Sequence, residues 1–116
     1  MPDIDKSHVV QLILNQNTEE ALSTLAEYYK VNVPRLKVGL PKGQRRAHGC
    51  YTSKNQTISV SDSSMLCNPF VILHEFYHHL RSKSVDRQHR GTEKNANKFA
   101  VEFLLEHNVT SRHLTS

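Results

Sequence analysis

Tryptophan is absent from this sequence, and cysteine, glycine and proline are scarce: two Cys, four Gly and four Pro in 116 residues. Two cysteines, Cys50 and Cys67, with no CxxC spacing exclude a disulfide-rich scaffold. Four glycines without a period exclude a collagen-like chain. Fully apolar runs are short, Phe70-Val71-Ile72-Leu73 being typical, so no segment is suited to span a bilayer and no membrane contact is expected. No apolar stretch follows a basic N-terminus, so no signal peptide is expected, and the cytoplasm is the expected location. Charged residues make up 22%, too few for a charge-rich disordered tail or a coiled-coil rod. The length suits one domain, read as residues 1–116.

Lys and Arg number 15 against 11 Asp and Glu, a net charge of +4 with neutral histidines. The cations gather at Lys42, Arg45 and Arg46 and at Arg81, Lys83, Arg87 and Arg90. An excess this mild reads as a solvated basic face rather than a nucleic-acid patch. It names no partner, and the oligomeric state is not set by the sequence. Histidine, by contrast, is plentiful: eight residues, without a tag-like run. It is the commonest metal ligand, so its spacing carries information.

Hydrophobic periodicity divides the chain into three stretches. Ile4, Val9, Val10, Ile13 and Leu14 give an apolar helical face over residues 4–15. Asn17-Thr18-Glu19-Glu20 reads as a cap with acids in the first turn of a second helix, over 18–30. Val33-Pro34 breaks that helix. Leu36, Val38 and Leu40 then alternate as in a half-buried strand, and residues 47–52 and 56–61 read as paired strands. In the second of these, Ile58 and Val60 face one way and Thr57, Ser59 and Ser61 the other, so one covered and one wet face are expected. Asn68-Pro69 opens a helix to about Ser82. A last helix starts near Thr92, with Ala96, Phe99, Ala100, Phe103 and Leu104 as its stripe, and residues 108–116 read as a loose polar tail.

The segment that carries chemistry is His74-Glu75-Phe76-Tyr77-His78, an HExxH sequence. Residues i and i+4 share a helix face, so His74 and His78 can present two imidazoles to one Zn²⁺. Glu75 stands beside them, within reach of a metal-bound water. A catalytic site needs a third protein ligand and an open position. The extended pattern HExxHxxGxxH is absent, because Arg81 and Ser84 occupy the last Gly and His positions. Asp86, His89, Glu93, Glu102 and His107 are the candidates for the third ligand. Glu93 shares a helix face with Ala96, Ala100 and Phe103, and His89 lies in the polar connector. Tyr77, His79 and His107 are candidates for stabilising an oxyanion. Cys50, Cys67 and a tail folded over the cleft with His113 are candidates for blocking the metal.

With Glu93-Lys94-Asn95-Ala96-Asn97-Lys98-Phe99-Ala100 downstream, the HExxH segment resembles the HExxH…ExxANxFA pattern of the ImmA/IrrE-type metallopeptidases. Gly49-Cys50-Tyr51 and Gln56-Thr57-Ile58-Ser59-Val60 resemble the hairpin before that family's active-site helix. The similarity covers roughly residues 30–107, and in size the chain is similar to the minigluzincins. The resemblance implies an α+β zincin with N-terminal helices, a short twisted sheet, an active-site helix and a C-terminal glutamate helix. It implies Glu93 as the third ligand, whereas the short gap after His78 keeps His89 in play, as in SprT-like sites. Tyr77 departs from the glycine often found before the second histidine. The resemblance also implies an edge strand at Ile58, Ser59 and Val60 that receives an extended polypeptide by strand addition. The expected activity is zinc-dependent peptide hydrolysis, with Glu75 as general base. A transcriptional repressor is the substrate that the resemblance suggests. The rival reading is a catalytically silent zinc protein that binds a regulator or nucleic acid.

Overall fold

The computed structural model describes residues 4–43, 47–83 and 92–115, with side chains to residue 109. In chain order the elements are α1 (Lys6–Leu14), α2 (Thr18–Tyr29), β1 (Arg35–Val38), β2 (Gly49–Thr52) and β3 (Thr57–Val60). A 3₁₀ turn (Ser63–Cys67), α3 (Pro69–Ser82) and α4 (Thr92–Thr115) follow. The class is α+β, as the periodicity indicates.

Local chemistry explains most of the boundaries. Asp5 caps α1 by accepting a hydrogen bond from the His8 backbone N–H at 3.0 Å. The chain leaves α2 through Lys30 in the left-handed region, φ 59°. Asn68 caps α3 by accepting from Val71 N–H at 3.2 Å, and Pro69 fills the first helical position, where a missing N–H costs nothing. Asn17 stands at the N-cap of α2 without a side-chain capping bond.

Two expectations about the ends and edges are corrected. The last helix does not stop at residue 107: it runs on to Thr115 in place of a loose tail. No Gly or Pro follows Gly91, so nothing in the sequence breaks it. The role suggested for His113 lies outside the described side chains. The second correction concerns the sheet, whose order is β1-β3-β2. Here β3 is the central strand, parallel to β1 and antiparallel to β2. Its backbone groups are taken up on both sides, so Ile58, Ser59 and Val60 form no edge for strand addition. Nor is one face wet, because all four β3 residues are buried. Ser59 is small and lies in register between Lys37 and Cys50 of the two neighbouring strands. The strands beside β3 are the edges.

Ile58 and Val60 form the sheet's contribution to one core with Val9, Val10 and Ile13 of α1, Leu22 and Leu25 of α2, and Ile72, Leu73 and Phe76 of α3. Ala96, Ala100 and Phe103 bring α4 onto this core. The two alanines lie on the buried stripe of α4, where small side chains allow close approach to a neighbouring helix. That approach sets the distance between the functional ends of α3 and α4. Among the described residues no helix is long and apolar enough to cross a membrane.

Candidate metal centre

One helical turn separates His74 from His78, and the burial pattern of α3 points both toward the start of α4. His74 Nε2 lies 2.9 Å from Glu93 Oε2, and His78 Nε2 lies 2.9 Å from Glu93 Oε1. The two Nε2 atoms are 3.4 Å apart. The other nitrogen of His74 is already committed: Nδ1 is 2.8 Å from Asn97 Oδ1, an acceptor, so Nδ1 carries the hydrogen. The Nε2 lone pair of His74 therefore faces a carboxylate oxygen and a second imidazole. Acceptors that converge in this way are satisfied by a proton or a cation. Burial pushes His78 below its ordinary pKa, which favours the neutral, ligating imidazole over a protonated one.

The three side chains lie close enough together to hold a metal ion, with one ligand atom from each within 4.8 Å of the others. Ligand atoms bound at about 2.0–2.1 Å around a tetrahedral zinc stand roughly 3.3 Å apart, a spacing close to that of the two imidazole nitrogens. The donor set, two neutral nitrogens and one carboxylate, fits zinc. Asn97 supplies the outer hydrogen bond that fixes tautomer and ring orientation in such sites. Glu93 reaches the imidazoles from the first turn of α4 with its side chain 74% exposed, so one side of the centre stays open.

That open side is a cleft of about 660 Å³ between β2, α3 and the start of α4. His74, Glu75, His78 and Glu93 line it on the helical side, and Gly49, Cys50 and Tyr51 line it on the strand side. Glu75 is only 8% exposed. Burial pushes its carboxyl up to about 7; the nearby His74 opposes the shift and Glu93 adds to it. Gly49 makes this packing possible. A Cβ there would stand 2.7 Å from Val71 Cγ1 and 3.2 Å from Glu75 Cγ. A second cavity, of about 690 Å³, lies between the start of α2, β1 and the 3₁₀ turn, and no histidine is among the described residues that line it.

The structure sorts the sequence candidates. His74, His78 and Glu93 come together, with Glu75 beside them. Glu102 and His107 lie elsewhere on α4, with His107 Nδ1 3.2 Å from Ser7 Oγ. Asp86 and His89 lie outside the described residues. His79 is fully buried. Its Nε2 donates to the Asn32 carbonyl at 2.7 Å, and its Nδ1 accepts from the Tyr51 hydroxyl at 2.7 Å. It therefore ties α3 to β2 and to the segment before β1, and it is not among the residues that line the cleft. Tyr77 is buried and packs on Phe99 at 5.6 Å between ring centres. Cys50 lines the cleft without joining the ligand cluster; burial and the neighbouring Glu75 push its thiol up, away from thiolate. Cys67 lines the other cavity.

Sequence reasoning missed Asn97 and Gly49 as contributors to the site. Asn97 was legible as the residue one turn after Glu93, on the same helix face. Gly49 had no local signal, because its role depends on the approach of α3. No family model, curated protein or solved structure matches the chain.

Proposed function

We propose that this protein is a zinc-dependent peptidase of zincin type, with His74, His78 and Glu93 holding the metal and Glu75 as general base and acid. The observation that carries the proposal is the convergence of two imidazole Nε2 atoms on one carboxylate, with a buried carboxyl beside them. When bound, zinc acidifies a water and polarises a carbonyl.

The chain's own residues supply the rest. Asn97 holds His74 in the ligating tautomer. Glu75 is the next residue after His74 and lines the same cleft, where its carboxyl can take a proton from an attacking water and pass it to a leaving amine. The open cleft admits an extended chain. With β3 in the middle of the sheet, the strand that lines the cleft is β2, and its outer edge takes over the receiving role first assigned to Ile58, Ser59 and Val60.

The experiment is hydrolysis of an unfolded polypeptide by the zinc-loaded protein, with Glu75→Gln and chelator-treated samples in parallel. The proposal expects activity that the chelator removes. It expects Glu75→Gln to lower activity by about 10²–10⁴-fold while the protein keeps its zinc. Full zinc occupancy with no hydrolysis in the native chain would overturn the peptidase reading in favour of a silent zinc protein.

A further inference from the structure

Arg81 is the only lysine or arginine among the described residues that line the cleft. It follows His78 by three positions on α3, so its stem rises one turn beyond the metal ligands on nearly the same face. Its Nη1 donates to Thr92 Oγ1, the residue just before Glu93. Among the described residues the guanidinium is placed by a neutral hydroxyl, and no acid pairs with it. The ion pairs among the described residues run from Glu93 to His74 and His78, and none reaches Arg81. A planar fork of donors held in a cleft by a neutral hydroxyl, with no counter-ion among the described residues, suits a carboxylate.

Among the described lining residues the two acids, Glu75 and Glu93, lie on the metal side, and Arg81 is the lysine or arginine at the other end. We propose that Arg81 is a specificity residue that pairs with a carboxylate of the bound peptide, supplied by an acidic side chain or by a free C-terminus. The inference rests on the peptidase reading for its ligand, a peptide, and not on cleavage.

The test uses labelled peptides in two matched pairs. One pair differs by Asp against Asn at an internal position, the other by a free against an amidated C-terminus. Binding is measured by fluorescence anisotropy to the full chain with zinc present. The carboxylate member of one pair is expected to bind about tenfold or more tighter, as a charged hydrogen-bonded contact allows. That preference is expected to shrink with added salt and to vanish in Arg81→Gln. Preference in the first pair identifies a side-chain acid, and in the second pair a C-terminal carboxylate. Two flat pairs, or a preference that survives Arg81→Gln, would overturn the proposal. Should Arg81→Gln not fold, Arg81→Lys decides: it keeps the charge without the fork, and an undiminished preference there also overturns it. Cleavage of the same peptides is followed in parallel. If none is cut, the peptidase reading falls, while the binding pairs still decide Arg81.

Discussion

The helix pair α3–α4 and the sheet build the two walls of one cleft, but they encode it in different ways. On the helices the candidate ligands follow from local spacing: i and i+4 place His74 with His78, and the same offset places Asn97 with Glu93. On the sheet nothing local decides which strand borders the cleft. Strand order depends on pairing across the chain, where β3 comes last and inserts between β1 and β2. A helix therefore announces its functional face in its own sequence, whereas a strand acquires one from its neighbours.

Changes on the two walls should then fail differently. The largest effect belongs to the helices. His78→Ala removes one of three ligands and should abolish stoichiometric zinc binding, and with it the rise in Tm that added zinc gives the native chain. The fold should persist, because His78 is outside the core. On the sheet, Ile58→Ala should leave the ligands intact but cost about 2–5 kcal/mol in urea unfolding, the usual range for emptying a central core position. Asn97→Ala should weaken zinc by about 10–100-fold, measured by competition with a chromogenic chelator, while Asn97→Asp keeps the acceptor and the affinity. Gly49→Ala should cost about 1–3 kcal/mol of stability from overpacking against Val71. It should lower activity with zinc occupancy unchanged, since Glu75 and not a ligand meets the new methyl group; Val71→Ala in the same chain should restore much of the stability.

Much of the helical wall was legible in the sequence. Asn68-Pro69 marks the start of α3, and the capping bond to Val71 N–H bears it out. HExxH names His74 and His78 as candidate ligands, and the apolar stripe of α4 brings Glu93 to them. The polar run from Asn108 onward misleads because no breaker backs it: α4 continues to Thr115 with no Gly or Pro to stop it. Polarity alone is a weak stop signal in an unbroken helical chain.

The sheet was legible only as segments. Alternation located β2 and β3 to within two residues, but it could not reveal that Ser59 sits between Lys37 and Cys50 of two flanking strands. His79 was unreadable for the same reason. Its partners, Asn32 and Tyr51, are 47 and 28 residues away in sequence. Arg81 was visible as a basic residue, and its place in the cleft emerged only with α4 beside it.

The most direct measurement of the central claim is zinc content per chain by elemental analysis, on untagged native protein and on Glu93→Ala after dialysis against zinc. The account predicts about one zinc per native chain and a large loss in Glu93→Ala, as expected for a three-ligand centre. Native protein that takes up no zinc, or Glu93→Ala that binds it as tightly as the native chain, would contradict the assignment of His74, His78 and Glu93 as the metal centre.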